Sequence, residues 1–286
     1  MLIGHEDMSP RGYDITRCRA AGSIDIVNDV LSVRRFGPPA PPRILALHGL
    51  TGHGQRWETL AVRHLAEYAI LAPDLLGHGR SSWAAPWTID ANVEALAALL
   101  DAEAGGPVWV VAHSFGGAVA LRLAEFRPDL VAGLILLDPA VGLDGHWMRE
   151  IADAMLQSPD FADREEARAD KTSGSWGEVD EDDLERELDE HLITLRNGRV
   201  GWRVGLPAVM SYWSELARPV SVPREGIPTT VVRAKKTQPP YVTDDLVATL
   251  RAALGSQFTL LEFDCDHMVP LARPIETARL IRDLVG

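Results

Sequence analysis

Hydrophobic and polar positions along this chain alternate between two periods. Short apolar runs occur at Val30–Phe36, Arg43–Leu47, Ala69–Ala72, Val108–Ala112, Gly133–Leu137, Thr229–Arg233 and Phe258–Phe263. A continuous apolar run of this length suits a strand covered on both faces, as in a parallel sheet. Between the runs lie stretches with apolar residues three and four apart. These predict helices over Arg56–Tyr68, Ile89–Leu100, Gly117–Phe126 and Thr243–Leu254, and a last one ending at the C-terminus. A further early strand is expected over Tyr13–Ala20, and Gly37–Pro42 forms a rigid connector that cannot join a ladder. Strands alternating with helices specify an α/β fold with a mostly parallel sheet.

The alternation stops from Val141 to Glu225. Ile151–Leu156 and Val179–Leu195 carry helical spacing there, the second with Leu184, Leu188 and Leu192 four apart. The expected organisation is therefore a core domain from residues 1–140 and 226–286, with a helical cap, residues 141–225, inserted after the sixth strand.

Charge sharpens this division. Ten Lys/Arg face nineteen Asp/Glu between Val141 and Glu225, so that segment holds −9 of the chain's net −13. Its acidic run reads as a solvated helix face. No basic stripe is offered to nucleic acid. At 46% apolar and 24% charged, the composition is that of a soluble globular protein. No run approaches the roughly 18 apolar residues of a membrane span. Met1–Arg19 has no apolar stretch of a secretory signal, and the two cysteines, Cys18 and Cys265, do not make a disulfide scaffold. A cytoplasmic setting is expected. Oligomeric state is left open.

Four motifs fall where predicted strands end: His48-Gly49, the run Asp74–Ser81, Ala112-His113-Ser114-Phe115-Gly116-Gly117, and Asp266-His267. The third matches Gly-x-Ser-x-Gly with alanine in the first place, a strand-to-helix turn that thrusts the serine outward. In this order the four resemble those of an α/β-hydrolase with a cap, of the serine esterase and lipase-like branch, over nearly the whole chain. The resemblance implies Ser114 as nucleophile and His267 as its base, because a serine hydroxyl needs a partner to take its proton. It also implies an oxyanion hole from the backbone N–H groups of Phe115 and Leu50. His78, His113, Asp74 and Arg80 are read as residues that order loops. Neither a cofactor nor a metal is expected; His48, His53 and His78 lack ligand spacing.

One departure stands out. Most relatives place the orienting acid after the strand that follows the cap, where this chain has Thr237. Dehalogenase-like and pancreatic-lipase-like branches place it after the preceding strand, which here is Asp138. Asp138 is the assignment; Asp144, Asp244, Asp245, Asp266 and an unsupported Ser-His dyad remain alternatives. His48, Trp147, Met210 and Trp213 are expected around an apolar pocket. The predicted activity is hydrolysis of a neutral, apolar small-molecule carboxylic ester through an acyl-serine. Carbon–carbon bond hydrolysis, acyl transfer, and a ligand-sensing protein without turnover are the competing readings.

Overall fold

In a computed structural model, residues 24–27, 30–103 and 105–286 are described. The core is an eight-stranded sheet built from β1 (Ile24–Val27), β2 (Ser32–Phe36), β3 (Ile44–Leu47), β4 (Ile70–Pro73), β5 (Val108–His113), β6 (Val131–Leu137), and two later strands, β9 (Thr229–Ala234) and β10 (Phe258–Phe263). The order across the sheet is β1-β2-β4-β3-β5-β6-β9-β10. β2 runs antiparallel to both β1 and β4; every other pairing is parallel. The expected Tyr13–Ala20 strand lies outside the described residues.

Helices cover both faces, as the unbroken apolar strands require. On one side α1 (Ile89–Ala102), α2 (Phe115–Phe126) and α7 (Asp244–Leu254) bury Leu96, Leu121 and Leu250 against Val110, Leu134 and Val231. On the other, α9 (Pro274–Val285) buries Ile281 against Val111 and Val232, beside Trp57 and Leu60. Thr88 and Thr243 accept hydrogen bonds from the N–H groups of Ala91 and Leu246, capping α1 and α7.

Arg56–Tyr68 is not the expected α-helix. A 3₁₀ turn, Gly54–Trp57, gives way to a π-helical turn, Leu60–His64. Apolar spacing decided which side faces the core, and Trp57, Leu60, Ala61 and Leu65 are buried there. It did not fix the hydrogen-bond step; at the start of the segment Gly54 N–H is tied to Asp74 Oδ1 at 2.6 Å.

Between β6 and β9 lie α3 (Gly145–Gln157), α4 (Arg164–Ser173), α5 (Glu181–His191), a two-stranded antiparallel sheet of β7 (Leu192–Thr194) and β8 (Val200–Trp202), and α6 (Leu206–Glu215). The helix expected to reach Leu195 thus stops at His191 and turns back. Asn197-Gly198 is the signal for that hairpin, with Gly198 at φ +81°. The segment is seated on the body by α6, whose Ala208 and Tyr212, with Leu216 just past its end, join the main core. Trp176, Leu184 and Leu188 meet Met268 and Leu271 of a short helix, α8 (Val269–Ala272). Among the described residues, no helix is long and apolar enough to cross a membrane.

Tyr212 is the main polar anchor of α6. Fully buried, it donates to Leu76 O and accepts from Asn92 Nδ2, both at 2.9 Å, while Asn92 Oδ1 accepts from Leu76 N–H. Tyr212→Phe removes one hydroxyl and the two buried hydrogen bonds it makes, so stability should fall by roughly 1–3 kcal/mol. Urea denaturation checks this; a loss under about 0.5 kcal/mol, the size of a surface change, would contradict it.

Candidate active site

Sheet register brings the site together. His113 lies opposite Leu137, and Leu137 opposite Val232, so β5, β6 and β9 end side by side. Ser114 follows β5 and Asp138 follows β6. Ser114 has φ +53° and Asp138 φ +47°, the left-handed region that non-glycine residues rarely occupy. Ser114 N–H donates to Leu137 O (3.2 Å), and Asp138 N–H to Val232 O (2.7 Å). Both strained residues are thereby pinned to the neighbouring strand.

The tight turn after Ser114 explains its glycines. A Cβ on Gly116 would stand 2.7 Å from Leu47 O and His48 O, and one on Gly117 would stand 2.5 Å from Pro139 Cβ. Ala112, where the motif usually has glycine, is fully buried within β5 and tolerated there.

His267 Nε2 is 2.9 Å from Ser114 Oγ, and its Nδ1 is 2.7 Å from Asp138 Oδ2. The other Asp138 oxygen accepts from Ala234 N–H at 3.0 Å. Each carboxylate oxygen thus has a donor, which holds the group in one orientation. His267 lies between the rings of Tyr241 (centroids 4.3 Å apart) and His113 (4.7 Å), and its carbonyl accepts from His113 Nε2 at 2.8 Å.

The other carboxylates are occupied elsewhere. Asp266 Oδ1 accepts from Thr237 Oγ1 (3.0 Å) and His267 N–H (2.7 Å), shaping the loop that carries His267. Asp144 caps α3, and Asp244 is an exposed partner of Arg233. Around Thr237, the loop after β9 is tied to the inserted segment: Glu178 accepts from Lys236 (2.9 Å) and from Arg273 at the start of α9 (2.8 Å).

Three further histidines order the loops, and their tautomers follow from their partners. His48 donates from Nδ1 to Gly49 O (2.8 Å) and accepts at Nε2 from Leu75 N–H (2.9 Å). His78 donates from Nδ1 to Leu76 O (2.9 Å) and accepts at Nε2 from Thr51 N–H (3.3 Å). Burial pushes the His48, His78 and His113 pKa values down, His78 to about 4, and nearby positive groups add to the effect. Asp74 braces both loops, accepting from Gly54 N–H and from Arg80 N–H at 2.8 Å.

A cavity of about 150 Å³ opens beside Ser114. Leu50, Trp213, Leu216, Tyr241 and Met268 supply apolar wall, while Thr51, Arg56 and Ser175 are polar. Of the four expected pocket residues, Trp213 lines it. Trp147 stands behind, stacked on Tyr241 at 5.3 Å. Met210 sits about one turn, roughly 4.5 Å, earlier on α6 and is not in the lining. His48 is corrected too: with both ring nitrogens taken by backbone, it supports the loop from behind. Sequence reasoning missed Tyr241 and Trp176, which come from loops without any periodic signal, and Arg56, which lies in the 3₁₀ turn Gly54–Trp57.

A family model described as "Alpha/beta hydrolase family" matches residues 44–280. The chain belongs to the alpha/beta hydrolase family. Within this family it is 60% identical over 256 residues to Lipase LipV of Mycobacterium tuberculosis, covering 90% of this chain and 98% of that one. Esterase Rv0045c of the same organism is 43% identical over 110 residues, 38% of this chain and 36% of the relative. Among solved structures, an E-2-(acetamidomethylene)succinate hydrolase superposes with a TM-score of 0.78 at 21% identity, covering 92% of this chain and 99% of its own. The esterase Rv0045c structure has a TM-score of 0.69 at 25% identity, with 92% and 91% covered. This alpha/beta hydrolase is thus an esterase- or lipase-like hydrolase.

The buried histidines make it sensitive to acid. His48, His78, His113 and His191 all have folded pKa values below the unfolded 6.5, chiefly through burial. Unfolding therefore takes up protons below pH 6.5, and stability is lost as pH falls from there towards the folded values. Each contributes up to about 1.4 kcal/mol per pH unit. Denaturant titrations at pH 7.5, 6.0 and 5.0 should show a steep decline; a flat profile would contradict it.

Proposed function

We propose that this alpha/beta hydrolase is a serine carboxylesterase acting on neutral, apolar small-molecule esters in the cytoplasm. Residues 1–140 and 226–286 form its catalytic domain and residues 141–225 its cap. The observation that carries this reading is the hydrogen-bonded line from Ser114 Oγ through His267 to Asp138, with distances of 2.9 and 2.7 Å.

As Ser114 Oγ attacks the ester carbonyl carbon, His267 Nε2 removes the hydroxyl proton. Asp138 holds the imidazole in the tautomer with Nδ1 protonated and stabilises the cation that forms. The oxyanion is received by the N–H groups of Leu50 and Phe115. Phe115 opens α2, so its N–H has no intrahelical acceptor. When the intermediate collapses, His267 protonates the leaving alkoxide and the acyl group stays on Ser114. Water, deprotonated by His267, then releases the acid.

The substrate class rests on the cavity. Its apolar wall, to which Trp213 contributes, suits an acyl chain. A volume of about 150 Å³ is below the roughly 300–1,000 Å³ of drug-sized sites, which favours short acyl chains. Nine of the net negative charges lie in the cap and disfavour anionic substrates within a screening distance of about 10 Å.

Fluorophosphonate labelling and nitrophenyl ester hydrolysis test the reading together. Ser114→Ala should lose both. Asp138→Asn should keep the fold but lower kcat by about 10³–10⁴, because the imidazole then presents the wrong tautomer. Activity within about tenfold of wild type in Asp138→Asn would reject Asp138 as the acid. Across an acyl series, kcat/KM should be higher on butanoate than on hexadecanoate; the reverse order would reject the short-chain assignment.

A further inference from the structure

The acidic run in the cap conceals a glutamate that is not solvated. On α5 the inward positions are Leu184, Glu187, Leu188 and His191, and Glu187 is only 3% exposed. Three donors from two parts of the molecule converge on it. Arg56 spans both of its oxygens, Nη2 to Oε1 at 2.6 Å and Nε to Oε2 at 3.0 Å. Lys171 on α4 donates to Oε1 (2.9 Å), and His53 Nε2 donates to Oε2 (2.9 Å). Burial alone would raise the Glu187 pKa, yet Arg56, Lys171 and His53 hold it well below the usual carboxylate range.

Arg56 leads from this node to the nucleophile. Its Nη2 also donates to Thr51 O at 2.9 Å. Thr51 directly follows Leu50 and is held at φ +59°, a left-handed conformation that threonine does not adopt without support. The loop has no slack on either side. A Cβ on Gly52 would lie 2.7 Å from Arg56 Nη1, and one on Gly49 would lie 2.9 Å from Ser114 Cβ. Residues 49–52 are therefore clamped between the guanidinium and the serine.

We propose that Glu187 is a positioning residue: from the cap, through Arg56, it holds the Thr51 carbonyl and so aims the Leu50 N–H at the oxyanion. This rests on the serine esterase reading above. The cap is then part of the oxyanion hole's support as well as a cover for the pocket. A donor that is displaced rather than removed loses part of its electrostatic stabilisation, which is specific to the transition state.

Steady-state kinetics on nitrophenyl butanoate, with the folded fraction determined for each variant, supply the test. Glu187→Gln, which keeps shape and one acceptor, should lower kcat about tenfold, and Glu187→Ala about a hundredfold. In both, KM should stay within about threefold. Fluorophosphonate labelling of Ser114 should slow in parallel. Lys171→Met removes a cap cation from the same node while leaving the Glu187–Arg56 pair, so it should lower stability with kcat per folded molecule retained. Unchanged kcat in folded Glu187→Ala, or equal kcat losses in Lys171→Met and Glu187→Gln, would overturn the proposal. Turnover that survives in Ser114→Ala would instead overturn the serine mechanism, so the two failures are distinct.

Discussion

The parallel register of β5, β6 and β9 is the constraint on which the site depends. Adjacent strands lie about 4.8 Å apart, so residues that follow aligned strand ends become neighbours without any long-range search. Ser114 and Asp138 use that adjacency, and each is tied at its N–H to the strand beside it. Their positive φ angles are maintained because the sheet leaves no alternative path into α2 and into the Pro139 turn. His267 need only come from the end of β10 to meet both. Asp138, directly after β6, reaches the imidazole while its other oxygen is held by Ala234 N–H at the end of β9.

Much of this arrangement was legible in the sequence. Apolar runs located β2–β6, β9 and β10 to within a few residues; motifs at strand ends pointed to Ser114 and His267, and the missing acid at Thr237 pointed to Asp138. These three side chains lie within hydrogen-bond distance in a line. What periodicity could not supply was the hydrogen-bond step of a segment under tertiary constraint. Leu60–His64 shows the right buried side in the wrong kind of helix. Asn197-Gly198 was a readable turn signal overshadowed by the four-residue spacing of Leu184, Leu188 and Leu192. Pocket residues were harder, since Tyr241 and Trp176 sit in loops whose paths depend on the finished fold. Glu187 had a signal that composition masked: it falls three residues after Leu184 and four before His191, on the buried side of an otherwise acidic helix.

Polar groups beneath the site are organised on one rule. His48 and His78 each donate one ring proton to a carbonyl and accept one amide proton, so neutral imidazoles replace water as the partners of loop backbone. Such pairing costs little while the rings stay neutral. It leaves both ring nitrogens of these histidines filled by backbone, whereas the Nε2 of His267 meets Ser114 Oγ.

The carboxylate that meets the His267 imidazole follows β6, which leaves the β9 loop to other contacts. With no carboxylate to deliver to the imidazole, Lys236 can bind Glu178 of the inserted segment, and Arg273 completes the same link from the start of α9. Thr237 remains inside, where it braces Asp266. The β9 loop is thereby a strut between two layers, pinned on its outer side through Lys236 and on its inner side through Thr237.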